Sequence, residues 1–143
     1  MFLGEFEHTI DEKGRVAIPA RFREELGEGL VLTRGFEHCL QAFPRPVWRD
    51  LSEKVSALSM GNSEARNLRR LLFSGAAEVE VDRQGRILIP QNLREYAALS
   101  EQVVIAGLST HFELWSHERW NNVLETLDTD AGSIAEQLAA LGI

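Results

Sequence analysis

The stretch Asp11-Glu12-Lys13-Gly14-Arg15-Val16-Ala17-Ile18-Pro19 returns about seventy residues later as Asp82-Arg83-Gln84-Gly85-Arg86-Ile87-Leu88-Ile89-Pro90. The repetition turns a weak local motif into architecture, two copies of one small unit in a single chain. Across residues 11–24 and 82–95, the pairs Asp11/Asp82, Gly14/Gly85, Arg15/Arg86, Ile18/Ile89, Pro19/Pro90, Arg23/Arg94 and Glu24/Glu95 are identical. The match extends outward: Glu7 meets Glu78 and Ile10 meets Val81. After a one-residue slip, Gly35 meets Gly107, Phe43 meets Trp115 and Trp48 meets Trp120.

Each unit opens with alternation, Phe6-Glu-His-Thr-Ile10 and Ala77-Glu-Val-Glu-Val81, which reads as a half-buried strand. Asp-x-x-Gly then supplies a turn: the carboxylate can accept nearby backbone N–H groups, and the glycine takes positive φ at no steric cost. A local hairpin is expected. Its second strand, Arg15–Ile18 or Arg86–Ile89, stops at a proline suited to the first turn of a helix. Helices over Ala20–Leu26, ended by Gly27, and over Gln91–Ala98 follow. Then come apolar strands Leu30–Thr33 and Val103–Ala106, a glycine-containing loop, strands near Cys39–Phe43 and His111–Trp115, and a longer helix.

The units therefore occupy residues 5–47 and 76–119, with a helical connector over 48–75 and C-terminal helices over 120–143. In the connector, Met60-Gly-Asn-Ser63 breaks the chain before a helix carrying Leu68, Leu71 and Leu72 on one side and arginines on another. In the tail, Ser133-Ile-Ala-Glu136 matches a capping box, and Ile134, Leu138 and Leu141 share a face expected to dock on the body or a neighbour. Two units that each cover a sheet face poorly should pack together. The fold class is α+β and β-rich, a pseudo-twofold barrel or sandwich with peripheral helices.

At 143 residues neither half has much core of its own. With 15 basic and 22 acidic residues the net charge is −7, so attraction to phosphate must come from a local patch. The distribution permits one: beyond Arg86 only Arg94 and Arg119 are basic, whereas Glu125, Asp128, Asp130 and Glu136 make the C-terminal stretch acidic. Cys39 is alone, which excludes an intramolecular disulfide framework and fits a reducing compartment. Met1–His8 lacks the charged and apolar regions of a signal peptide, and no run is long enough to span a membrane. A soluble intracellular protein is expected.

Strand parity sends Val16 and Ile18 to one face and Arg15 and Ala17 to the other. If the first pair is core, Arg15 projects outward beside Lys13, Arg21 and Arg23, and copy two offers Arg83, Arg86 and Arg94. Arginine suits nucleic acid because its planar fork bonds two phosphate oxygens, or O6 and N7 of guanine, together. A β-ribbon is one of the few elements that fits the major groove. The same spacing equally lets Asp11 pair with Arg15, and Asp82 with Arg86, merely to close the turn. Copy two departs from copy one: Leu88 replaces Ala17, and Glu80 stands where copy one has Thr9.

Catalysis and metal binding find little support. His8, His38, His111 and His117 are scattered, and Cys39 has no partner at ligand spacing. No catalytic residue, metal, cofactor or small-molecule substrate is expected. Trp48, Trp115 and Trp120 with Phe22, Phe43 and Phe112 could form a base-stacking platform, but their repeat-matched or apolar-face positions favour core packing.

Asp-x-x-x-Arg, a hydrophobic strand, Ile-Pro and a basic helix resemble the signature of the SpoVT/AbrB domain, and the tandem pair resembles the MraZ family of bacterial transcriptional regulators over essentially the whole chain. The resemblance implies a swapped-hairpin-type barrel built from both halves and a ring-shaped homo-oligomer. It also implies sequence-specific binding to repeated boxes of double-stranded promoter DNA in a cytoplasmic, nucleoid-associated setting. It further implies repression of the protein's own promoter and of the division and cell-wall gene cluster. The family's motif falls on Asp11 with Arg15 and on Asp82 with Arg86, beside the turn glycines Gly14 and Gly85. An alternative is an antitoxin-like scaffold that uses the same barrel to bind protein. Short antitoxins carry one motif and a disordered tail, whereas this tail reads as helix.

Overall fold

The computed structural model describes residues 1–27 and 29–143. Each half runs strand, strand, short helix, strand, strand, helix. The first half contains β1 (Glu5–Thr9), β2 (Arg15–Ala17), α1 (Ala20–Leu26), β3 (Gly29–Arg34), β4 (Leu40–Pro44) and α2 (Arg45–Ser56). After α3 (Ser63–Ser74), the second half contains β5 (Ala77–Glu80), β6 (Arg86–Leu88), α4 (Gln91–Tyr96), β7 (Gln102–Gly107), β8 (Phe112–Ser116) and α5 (His117–Thr129), and α6 (Ala131–Ala140) follows.

The molecule is mixed α+β, with a six-stranded antiparallel sheet in the order β1-β7-β8-β4-β3-β5 and a separate ribbon of β2 with β6. The expected hairpin ladder does not form. Its turn is present, yet β1 pairs with β7, β5 pairs with β3, and β2 pairs with β6. A lone two-stranded hairpin is marginal in water. Exchange between halves instead gathers Val16, Ile18, Ile87 and Ile89, each at most 2% exposed, into one core with Leu30, Leu32, Val103, Ile105 and Phe112. The exchange is pseudo-twofold: Val16 faces Ile87 and Gln41 faces Glu113, each the repeat counterpart of the other. Among the described residues the sheet remains open, with β1 and β5 as its edges.

The ribbon, α1 and α4 cover one face of the sheet, and α2, α3 and α5 lie on the other. Burial on both faces explains why Leu30–Thr33 and Val103–Ala106 read as unbroken apolar runs. Phe2, Phe6, Phe22 and Phe112 form an aromatic knot with centroids 5.1–5.4 Å apart. Phe43 and Trp115 are buried, and Trp48 and Trp120 are half-buried, so the aromatics serve packing rather than an exposed platform.

The C-terminus departs from expectation. Ser133 lies inside α6, which starts at Ala131 with Asp130 as its cap, so the Ser133–Glu136 pattern does not begin the helix. The ladder from Asp130 N–H to Thr126 and from Ile134 N–H to Asp130 carries the chain from α5 straight into α6. Every residue of α6 is exposed, and the helix docks nowhere on its own body. No helix among the described residues is long and apolar enough to cross a membrane.

Candidate nucleic-acid interface

The two turns are built alike. Asp11 Oδ1 accepts the N–H groups of Lys13 (3.0 Å) and Arg15 (2.9 Å), while Asp82 Oδ1 accepts those of Gln84 and Arg86, both at 2.9 Å. Gly14 and Gly85 take φ of 89° and 78°, a region that costs other residues steric strain. Each carboxylate has a second role. Arg15 Nε donates to Asp11 Oδ2 at 2.7 Å, and Arg86 Nε donates to Asp82 Oδ2 at 3.2 Å. Backbone hydrogen bonds from Arg15 and Arg86, reinforced by the guanidinium beside each, hold both carboxyls below the usual aspartate value.

The pair closes the turn, and the arginine still reaches solvent. The Arg15 and Arg86 side chains are 31% and 28% exposed. Engagement through Nε leaves the terminal nitrogens of Arg15, and Nη2 of Arg86, outside any ion pair among the described residues, with each fork pre-oriented by its carboxylate.

The ribbon brings the motifs together. Arg15 lies opposite Leu88 and Ala17 opposite Arg86, so Arg15 and Arg86 are diagonal neighbours on the outer face, a relation that separates Cα atoms by about 7–8 Å. Arg86 Nη1 lies 4.0 Å from Asp11 Oδ2, so one copy's carboxylate faces both copies' arginines. Ala17 and Leu88 are exposed between them. The His8 ring Nδ1 lies 2.5 Å from the Ala17 carbonyl and ties β1 to the ribbon.

Sequence reasoning grouped the arginines by repeat, and the structure exchanges two of them. The Arg23 side chain packs on Gly85 of the second turn, and Arg94 packs on Gly14 of the first, its Nε donating to the Ile89 carbonyl at 3.0 Å. The turns interlock further, because Ile18 N–H donates to Gly85 O and Ile89 N–H to Gly14 O, both at 2.9 Å. Lys13 and Arg83 sit exposed at the turn tips, and Arg21 is exposed on α1. Arg15 and Arg86 therefore share one ribbon with Arg23 and Arg94 beside its turns, not two separate hairpins. Ala17 and its counterpart Leu88 share the arginines' face, as strand parity expects.

Elsewhere the chemistry is quiet. Among the described residues no group of three His, Cys, Asp or Glu side chains could hold a metal. Cys39 is fully buried, and burial followed by the nearby Glu113 carboxylate pushes its thiol far up, which keeps it protonated and unreactive.

A family model described as "MraZ protein, putative antitoxin-like" matches residues 1–71 and again 72–141. The chain is 62% identical over 141 residues to the transcriptional regulator MraZ of Roseiflexus castenholzii, covering 99% of both chains. It is 53% identical over 143 residues to that of Herpetosiphon aurantiacus, covering 100% of both.

Proposed function

The chain belongs to the MraZ family, and from that premise we propose that it is a transcriptional regulator, not an enzyme, that binds double-stranded promoter DNA through the β2–β6 ribbon. The observation that carries this reading is the placement of Arg15 and Arg86 on one outward ribbon face, each oriented by its own aspartate. A two-stranded ribbon fits the major groove, where paired forks can take guanine edges while Ala17 and Leu88 offer apolar contact to thymine methyls. Lys13, Arg21, Arg23, Arg83 and Arg94 flank the ribbon as phosphate contacts, and repeats 5–47 and 76–119 each contribute half of the reading head.

In this account, ribbon and sheet wrap one core as a swapped-hairpin-type barrel, and several protomers form a ring. A chain of net charge −7 with one small cationic patch binds a single site weakly. Several patches facing several boxes raise effective concentration and give avidity without new contacts. The targets are repeated boxes in the protein's own promoter, ahead of the division and cell-wall gene cluster, and occupancy represses transcription on the nucleoid.

The test is a gel-shift titration of Arg15→Ala and Arg86→Ala alongside circular dichroism and size-exclusion chromatography. Each variant is expected to lose about five- to 160-fold in affinity, since a bidentate base contact is worth ~1–3 kcal/mol, with fold and assembly retained. Wild-type affinity should fall steeply with salt, each neutralised phosphate adding about 0.9 to the log–log slope. Unfolding of either variant, or a flat salt response, would favour a purely structural pair.

A further inference from the structure

The internal repeat runs further than the turn motif. Ser63-Glu-Ala65-Arg-Asn-Leu68-Arg-Arg-Leu71 in α3 aligns with Ser133-Ile-Ala135-Glu-Gln-Leu138-Ala-Ala-Leu141 at the C-terminus, identical at the serine, the alanine and both leucines. Helix α6 is therefore the counterpart of α3, as α5 is of α2. The two helices have opposite fates.

Helix α3 folds back on α2 and covers β3. Its Ala65 and Leu72 are buried, Val55 beneath it on α2 is 5% exposed, and Phe73 packs edge-on against Trp48 with centroids 5.8 Å apart. Arg34 Nε donates to the Leu71 carbonyl, and Arg69 Nη2 donates to the Ser56 and Leu58 carbonyls at the end of α2. In the second half none of this cover is present. Leu127, the counterpart of Val55, is 47% exposed, and Ile134, Leu138 and Leu141 are 39%, 46% and 75% exposed. The surface they would cover remains as a cavity of about 410 Å³ lined by Trp115, Arg119, Val123 and Leu127.

The connector explains the difference. Residues 57–62 separate α2 from α3, enough chain to reverse direction. Only Asp130 separates α5 from α6, and the backbone ladder runs through it, so α6 cannot return onto its own α5. Shortening a hinge so that an element cannot pack in its own chain is the usual origin of exchange between copies. The composition agrees: Glu136 is the only charged residue from Ala131 to Ile143, an unusual make-up for a helix meant to stay in water.

We infer that α6 of one copy of this chain packs on the α5 surface of a second copy, taking there the place that α3 holds in the first half. The inference rests on the homo-oligomeric part of the function proposed above, and not on its DNA-binding part. Because Leu68, the counterpart of Leu138, lines the same hollow as Val55 in the first half, Leu138 of one copy should lie beside Leu127 of the other.

Two measurements on the full-length chain test it. First, Ile134→Ser with Leu138→Ser and Leu141→Ser is compared with wild type by light scattering over a concentration series. The variant is expected to keep its circular dichroism spectrum, because these side chains lie exposed and outside the protomer's core, while its half-assembly concentration rises at least about 100-fold. Second, Leu127→Cys and Leu138→Cys are made separately, mixed and oxidised. A disulfide joining the two variants is expected, with the buried Cys39 uninvolved. Wild-type self-association with equal assembly of the serine variant, or no mixed disulfide, overturns the inference and leaves the oligomeric reading standing. A wild-type chain that stays monomeric throughout the series overturns both.

Discussion

At the scale of single residues, Asp11 and Asp82 do two jobs with two oxygens: Oδ1 closes the turn and Oδ2 aims an arginine. Both carboxyls are depressed below 3.8 in the folded chain, chiefly by backbone N–H donors. A depressed folded value contributes stability that is complete above the unfolded value and is lost as pH falls through the folded one. The double variant Asp11→Asn/Asp82→Asn should therefore melt below wild type at neutral pH, and the gap should close as pH drops under 3.8. Thermal melts at neutral and strongly acidic pH check this; a gap independent of pH would contradict it. The turn chemistry was legible in the sequence because Asp-x-x-Gly is a local device. The reach of Arg23 onto Gly85 and of Arg94 onto Gly14 was not, because it depends on which half each helix lies against.

At the scale of elements, periodicity and punctuation marked nearly every strand and helix, and strand parity separated buried Val16 from exposed Ala17. What they could not mark is partnership, since a strand's alternation says which face is buried and nothing about who pairs with its edge. Hence the expected hairpin gave way to the β1–β7, β5–β3 and β2–β6 exchange. The N-terminal strap was equally illegible, for Met1-Phe2-Leu3 has no period. Phe2 nonetheless exchanges backbone hydrogen bonds with Ser109 and buries its ring, and the strap crosses so near Gly107 that an added Cβ would meet Phe2 backbone at 2.6 Å. Backbone cannot move aside as a side-chain tip can. Gly107→Ala is expected to cost about 1–3 kcal/mol by overpacking, read as a lower urea midpoint. Gly132→Ala, which meets nothing within 4 Å on exposed α6, should leave that midpoint unchanged or slightly raised.

At the scale of the molecule, the exchange makes each half the other's missing sheet. Among the described residues the only strand pairing within a half is β3 with β4, or β7 with β8, so residues 1–74 and 75–143 made separately should each be unfolded or aggregated. Mixing them should restore the dichroism of the intact chain; a half that melts cooperatively alone would contradict a shared core. The same exchange sets two arginine forks on one ribbon, and the function proposed for the chain takes that ribbon as its local cationic face despite a net charge of −7. That claim is central, and hydroxyl-radical footprinting on the DNA upstream of the protein's own gene tests it most directly. Wild type should protect a series of regularly spaced boxes, and a folded, assembled Arg15→Ala/Arg86→Ala variant should protect none. Equal protection by that variant, or no protection by wild type, would contradict the account.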